Sequence, residues 1–260
     1  MPVIKVDGAN LDVTQAGSGR DLVLLHSLLT DRSAFDPVVP ELSKKRRLTL
    51  VNLPGYGRSG PAGEDVESYA DRVAGLFGAL RLPRTTGVLG NGFGACISVA
   101  LAARDGEKFD RLIIADALAA FPEPAKQPLR NLAAKVAQEG MAGALDIAIR
   151  RMFPEAYIAA HPQVVTERKR VLEREADAKC FQSACLALAS LDFTPVLGKI
   201  RNPTLVMVGA LDQTTPPAVA RALANGIPGA KFLEIPGCGH CPQIENPQAF
   251  IDAVNAFLPN

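Results

Sequence analysis

The amino-acid sequence predicts an α/β fold: a mostly parallel sheet of eight strands with helices on both faces and a helical insertion. The first observation is that short, continuous apolar runs recur, as is typical of strands buried on both faces of a sheet. The second is that helical segments alternate with these runs. The third is that strand signals stop between residues 121 and 195, which indicates an all-helical insertion.

The first half of the chain begins with a predicted antiparallel hairpin. Residues 3–7 and 10–16 alternate apolar and polar side chains on either side of Asp7 and Gly8, a pair that favours a tight turn. Buried strands are then predicted at 21–26, 48–53, 86–89 and 111–115. Helices are predicted at 36–42, 65–80 and 95–103.

The insertion begins at the proline-rich segment 121–124 and ends near Pro195. Its predicted helices are 128–139, 141–152, 155–160, 163–175 and 177–190. Strands at 203–208 and 230–235 and helices at 217–225 and 247–258 complete the pattern. We therefore assign residues 1–120 and 196–260 to the core of the fold and residues 121–195 to the insertion.

Composition excludes several classes of partner. The chain has 260 residues and a net charge of +1, so it offers no field for nucleic acid or an anionic membrane. Residues 1–7 lack the basic and apolar regions of a signal peptide, and no apolar run reaches the length of about 18 residues that a membrane span needs. The odd number of cysteines, five, favours a reducing, cytoplasmic compartment.

The chain is organised around a strand, a sharp turn and a helix at residues 86–103. The turn, from Gly90 to Gly94, has the outline of a nucleophile elbow, G-x-S-x-G, in which a strained turn holds a serine at the top of a sheet. Here the central position is Gly92. Glycine adopts such a backbone easily but has no atom that could attack an acyl carbon.

A histidine and an acid follow the elbow in the chain. His240 lies in a glycine-rich loop after a predicted strand, where it is well placed to act as a general base. Asp212 also follows a strand and could orient the histidine ring. Asp116, which ends another strand, is the rival acid, and His26 is interpreted as structural in preference to catalytic.

Backbone amides near the elbow are candidates for stabilising an oxyanion. We predict the N–H groups of Phe93 and Leu28 for this role, with His26 and Ser27 shaping the loop that carries Leu28.

Cysteines offer weaker alternatives. Cys238 and Cys241 flank His240 with metal-like spacing, but the sequence has no second pair of ligands, so we predict no metal. Cys96, one helical turn beyond Gly92, is interpreted as a packing residue in preference to a substitute nucleophile.

With these residues in view, the chain resembles the α/β-hydrolase superfamily along nearly its whole length, and within it the 3-oxoadipate enol-lactonase group. The stretches that carry the likeness are 25–28, 52–59, 90–94, 209–212 and 239–240, and for the narrower group 152–153, 178–185, 214–217 and 227–230. The resemblance implies a Ser-His-Asp mechanism, no cofactor, a lid formed by residues 121–195, and a small acidic or cyclic acyl substrate. Asn52 stands where many relatives have aspartate.

Gly92 leaves three hypotheses open. The chain is a lactone or ester hydrolase whose serine has been replaced, which would trap a ligand; or a natural binding protein on a hydrolase scaffold; or an enzyme in which the His240–Asp212 pair acts without a nucleophile. Related enzymes that cleave amide or carbon–carbon bonds share the same motifs. Predicted substrate contacts are Ser27, Phe121, Arg151 and Phe153, although the arginines at 150 and 151 also fit a solvated helix face.

Overall fold

The computed structural model describes residues 3–6 and 8–259. Its eight strands form one sheet in the order β1-β2-β4-β3-β5-β6-β7-β8. The strands are β1 (Val3–Val6), β2 (Ala9–Ala16), β3 (Arg20–Leu25), β4 (Arg46–Val51), β5 (Gly87–Asn91), β6 (Arg111–Ala115), β7 (Thr204–Gly209) and β8 (Lys231–Ile235). β2 is antiparallel to β1 and β4, and the pairs from β4 to β8 are parallel, which confirms the predicted fold class. Asp7 of the predicted hairpin turn lies outside the described residues.

Helices cover both faces of the sheet. One face packs against α1 (Val39–Leu42) and α11 (Pro247–Phe257), and the other against α2 (Val66–Ala79), α3 (Phe93–Asp105) and α9 (Pro217–Gly226). The short helix α10 (Pro242–Glu245) precedes α11 and was not predicted. In the part of the chain that the structure describes, no helix has both the length and the apolar character that a membrane crossing requires.

The insertion contains five helices between β6 and β7. They are α4 (Glu123–Glu139), α5 (Leu145–Met152), α6 (Glu155–Ala160), α7 (Pro162–Glu175) and α8 (Ala178–Ser190). The chain enters and leaves the insertion side by side, because Phe193 N–H donates to the carbonyl of Ala119 at 2.8 Å. A second contact joins α7 to the loop after β4, where Gly57 N–H donates to the carbonyl of Glu175 at 2.8 Å. The lid role of this segment stays a prediction.

Three helix predictions were wrong in their starts. α4 begins at Glu123, five residues before the predicted 128, and contains Pro128. Proline is typical of the first turn of a helix, so its position suggested the start; here the helix continues across it without one backbone hydrogen bond. The helix predicted at 36–42 is instead a 3₁₀ turn at Arg32–Phe35 followed by α1. The helix predicted at 141–152 is likewise a 3₁₀ turn at Met141–Ala144 followed by α5.

Gly94 is the point where α3 approaches β3 most closely. A methyl group at this position would lie 2.7 Å from the carbonyl oxygen of His26 and 2.5 Å from the carbonyl carbon of Leu25. The amide of Gly94 also donates to the carbonyl of His26 at 3.0 Å. The absence of a side chain therefore holds the start of α3 against the end of β3.

We expect Gly94→Ala to lower the free energy of unfolding by about 2–3 kcal/mol, because the backbone of β3 has to move to admit the methyl group. Gly78→Ala is the matched control. Gly78 lies in exposed α2 with open space around it, so this change should raise the free energy of unfolding by up to about 1 kcal/mol. Urea denaturation measures both values, and equal effects of the two substitutions would contradict the packing argument.

Candidate active site

The turn between β5 and α3 has the backbone of a nucleophile elbow. Gly92 has φ 55° and ψ −115°, a left-handed conformation that glycine adopts without a steric penalty. The turn is held on both sides, because Gly92 N–H donates to the carbonyl of Ala115 at 2.9 Å and the carbonyl of Gly92 accepts from Cys96 at 3.1 Å. The backbone thus exposes position 92 at the end of the sheet, but glycine has no side chain to project from it.

The space in front of Gly92 is occupied by other side chains. A Cβ atom at position 92 would lie 2.8 Å from Nε2 of His240 and 2.8 Å from Cβ of Ser27, and closer still to the Ser27 hydroxyl. Carbon atoms do not approach so closely without movement of a neighbour. Ser27 therefore fills part of the volume into which an elbow side chain would project.

His240 and Asp212 form a buried, hydrogen-bonded pair. Nδ1 of His240 lies 2.8 Å from Oδ2 of Asp212, and the two residues are 4% and 3% exposed. Asp212 also accepts the Thr215 hydroxyl at 2.5 Å and the amide of Thr214 at 2.7 Å. Burial raises the pKa of Asp212, but the positive charge of His240 and these hydrogen bonds outweigh it and hold the pKa below its ordinary value. The carboxylate is ionised and fixes the histidine ring.

The loop of His240 is held by backbone contacts that the sequence did not reveal. Glu245 accepts the amides of Gly239 at 2.8 Å and Cys241 at 3.0 Å, on either side of the histidine. The amide of His240 donates to the carbonyl of Met152 in the insertion at 2.9 Å. Thr215, equally unpredicted, stands three residues after Asp212, a spacing at which Asp side chains commonly accept local hydrogen bonds. The three-residue spacing was therefore the feature of the sequence that could have indicated the contact between Thr215 and Asp212.

Asp116 is buried near the pair without being its partner. Its carboxyl group accepts from the Asn91 side chain at 3.0 Å and from the amide of Gly209 at 2.9 Å, and no hydrogen bond joins it to His240 within residues 8–259. Burial, and then the charge of Asp212, raise the pKa of Asp116 well above its ordinary value. Of the two acids considered from the sequence, the structure places Asp212 against the histidine.

His26 has a structural position. Its Nε2 accepts the amide of Leu53 at 2.9 Å, so the proton lies on Nδ1, which donates to the carbonyl of Ser27 at 2.8 Å. Burial lowers the pKa of His26 from 6.5 to about 4. The neutral ring therefore links the ends of β3 and β4 and fixes the loop that carries Ser27 and Leu28.

Both predicted oxyanion donors line the same cavity as Gly92 and His240. Among the described residues, the amides of Leu28 and Phe93 have no hydrogen-bond acceptor. Phe93 is the first residue of α3, where backbone amides are unpaired and the helix dipole favours negative charge. Two amides are thus available beside the histidine.

The cavity is small and almost entirely apolar. Its volume is about 40 Å³. Ser27, Phe121 and Arg151, all predicted substrate contacts, lie in its wall, whereas Phe153 does not. Phe153 instead lines an outer cleft of about 270 Å³ that meets the cavity at Arg151 and His240. The apolar wall residues that the sequence did not predict are Leu29, Leu118, Leu129, Leu132 and Leu188.

The cysteines near the site are not suited to act as nucleophiles. Cys96 lies in the cavity wall, but burial raises the pKa of its thiol to about 12, so the reactive thiolate is not formed near neutral pH. Burial likewise raises the pKa of Cys238 to about 12. Both thiols behave as packing groups.

Known proteins resemble this chain in both sequence and fold. A model of the alpha/beta hydrolase family matches residues 22–253. A pimeloyl-[acyl-carrier protein] methyl ester esterase of Nitrosomonas europaea is 26% identical, with 96% of this chain and 100% of the relative covered. The enol-lactonase of Burkholderia xenovorans LB400 superimposes with a TM-score of 0.92 at 30% identity, covering 99% of both chains. A thermophilic esterase of Thermogutta terrifontis, with malate bound, gives 0.90 at 28% identity and covers 99% and 97%.

The neutral state of His26 predicts a pH dependence of stability. The unfolded chain binds a proton at this histidine near pH 6.5 and the folded protein only near pH 4. Stability is therefore lost as the pH falls through this window, by about 3 kcal/mol for this residue alone. Urea denaturation of the native chain and of His26→Asn at pH 7 and pH 4 should show a larger loss for the native chain. Parallel losses would show that the ring is not the group that titrates.

Proposed function

This chain belongs to the alpha/beta hydrolase family, and from that membership we propose that it hydrolyses a small carboxylic ester or lactone. The single observation that carries the proposal is the buried His240–Asp212 pair, whose second ring nitrogen, Nε2, faces a cavity lined by two unpaired amides. Family members named for methyl ester and enol-lactone cleavage support the same type of bond. No cofactor enters the proposed reaction.

Each residue of the pair has a separate role in the proposed mechanism. His240 accepts a proton from the attacking group and passes it to the leaving oxygen, while Asp212 keeps the ring in the tautomer with Nε2 unprotonated and stabilises the cation. The amides of Leu28 and Phe93 donate to the oxygen that becomes negative during attack. Gly92 occupies the position from which an elbow serine would attack, so that route is absent from this chain.

The cavity wall favours a compact, apolar substrate that carries one negative charge. Arg151 contributes a guanidinium to a wall that is otherwise largely leucine and phenylalanine. Among the described residues this guanidinium forms no hydrogen bond and no ion pair, and its charge interacts with Asp212 only at longer range. Burial lowers the pKa of Arg151 below its ordinary value, but a guanidinium stays charged at neutral pH. A carboxylate on the substrate would supply the missing partner. The malate-bound esterase relative supports a small acidic ligand.

Gly92 itself favours a second candidate, ligand binding without turnover. A pocket that retains the base, the acid and the amides but lacks the elbow nucleophile would hold an ester or lactone without cleaving it. The two candidates differ in whether an ester is consumed, which the following variant tests.

Installing an elbow serine should create an efficient hydrolase. Because a side chain at position 92 would overlap Ser27, we expect the double variant Gly92→Ser with Ser27→Gly to perform better than Gly92→Ser alone. Turnover of short p-nitrophenyl esters and of a five-membered enol-lactone should rise by more than about 10²-fold over the native chain. Adding His240→Ala to the double variant is the control and should remove the gain. A folded double variant that cleaves neither substrate class would contradict the proposed function.

Arg151 should set the preference for acidic substrates. We expect Arg151→Met to raise KM for a mono-ester of a dicarboxylic acid by about 10- to 100-fold and to change KM for the neutral dimethyl ester little. Arg150→Met is the matched control, because Arg150 is exposed and lies outside the inner cavity. Steady-state kinetics in the double variant Gly92→Ser with Ser27→Gly provide the measurement. Equal changes in KM for the acidic and the neutral ester would contradict a role of Arg151 in binding the substrate carboxylate.

A further inference from the structure

The hydroxyl group of Ser27 faces the catalytic nitrogen of His240. Oγ of Ser27 lies 3.4 Å from Nε2 of His240, and Ser27 is 1% exposed. This is the one hydrogen bond of the Ser27 hydroxyl among residues that the structure describes. From this geometry we propose that Ser27 is a displaced nucleophile, so that Ser27, His240 and Asp212 form a catalytic triad without the elbow. The inference rests on the proposed function and adds the attacking atom to it.

Ser27 occupies the place of the missing elbow side chain. A Cβ at position 92 would lie 2.8 Å both from Cβ of Ser27 and from Nε2 of His240, and nearer to the Ser27 hydroxyl. The hydroxyl of Ser27 thus occupies the volume of an elbow side chain. It meets the base that an elbow serine would use, Nε2 of His240, and it lines the same cavity as the amides of Leu28 and Phe93.

The backbone of Ser27 is fixed in advance. Its carbonyl accepts three hydrogen bonds: from the amide of Thr30 at 3.1 Å, from the Thr30 hydroxyl at 3.1 Å, and from Nδ1 of His26 at 2.8 Å. The preceding carbonyl, that of His26, accepts from Gly94 at the start of α3. A buried nucleophile on a backbone held at both residues attacks without a cost for reordering the loop.

The other nucleophilic side chains near the pair are unsuitable. The hydroxyl of Thr215 lies on the Nδ1 side of His240, at 3.4 Å, and donates to Asp212. The Thr214 hydroxyl donates to the carbonyl of Arg151 at 2.8 Å. Cys96 carries a protonated thiol. Within the described residues, Ser27 is therefore the nucleophilic side chain that hydrogen-bonds to Nε2.

The proposed reaction balances with water as the second reactant. Nε2 of His240 takes the proton of the Ser27 hydroxyl as Oγ forms a bond to the acyl carbon, and the C–O bond to the leaving alcohol breaks as that oxygen takes the proton from Nε2. The product is an acyl ester on Ser27. Water then loses a proton to Nε2 and attacks the acyl carbon, and Oγ leaves and recovers that proton. The net change is ester plus water to acid plus alcohol.

Covalent labelling tests the assignment directly on the native chain. Incubation with an alkyl fluorophosphonate, which transfers its phosphonyl group to an activated serine and releases fluoride, should add one group per chain. Peptide mapping by mass spectrometry should place it on Ser27. Ser27→Ala and His240→Ala should each lose the label, while Ser190→Ala, which removes an exposed hydroxyl outside the cavity, should keep it. A label at another residue, or none on the native chain, would overturn the proposal.

Kinetics separate this inference from the proposed function. Ser27→Ala should lower turnover of short activated esters by about 10²-fold or more relative to the native chain, with thermal unfolding confirming that the fold is kept. Native-level turnover by Ser27→Ala would show that His240 activates water directly, and would overturn the role of Ser27. The variant with serine at position 92 and glycine at 27 lacks this nucleophile altogether. Its activity therefore tests only whether the pocket supports ester hydrolysis. An inactive double variant would contradict the proposed function, whereas an active double variant together with native-level turnover by Ser27→Ala would contradict only the role of Ser27.

Discussion

The close approach of α3 to β3 at Gly94 determines the geometry of the whole site. Because no side chain separates the two elements, the amide of Gly94 bonds directly to the carbonyl of His26. That contact brings the turn at Gly92 and the loop of Ser27 together, one on each side of the cavity. The crowding between position 92 and Ser27 follows from it. The glycine at position 94 thus allows Ser27 and position 92 to lie close enough to compete for one volume beside the histidine.

Charge is distributed unevenly between the two buried acids, and the site depends on that difference. Two ionised carboxylates at this depth would repel each other strongly, and the direction of their pKa values shows how this is avoided. Asp212, with hydrogen bonds from Thr214, Thr215 and His240, keeps the negative charge. Asp116 accepts hydrogen bonds from a backbone amide and a side-chain amide, but its burial and the charge of Asp212 raise its pKa well above the ordinary value. Asp212 is therefore the acid that carries the negative charge against the ring, which is what a histidine base requires to stabilise its cation.

Much of the fold and part of the site could be predicted from the sequence. The eight strands and their buried character follow from apolar runs, and the pairing of His240 with Asp212 follows from the shared edge at which parallel strands end. The direction of the Ser27 side chain could not be predicted. It depends on the geometry of the loop, which contacts with His26 and Thr30 fix, and on packing against α3, which is distant in sequence. The contribution of Glu245 was hidden for the same reason: it acts on backbone amides, which leave no signature in side-chain patterns.

Ser27 and an elbow serine are alternatives, since the cavity has room for one hydroxyl at Nε2 of His240. The base and the oxyanion amides are fixed by the ends of the strands and by α3, so they serve whichever hydroxyl occupies that volume. Glycine at position 92 keeps the strained turn without steric cost and leaves the volume open from the opposite wall. The absence of a nucleophile at position 92 therefore leaves the base and the amides of the site in place. The same backbone supports attack from the loop after β3 as from the turn after β5, because what defines the nucleophile is its contact with Nε2 of His240 in a cavity lined by the two amides.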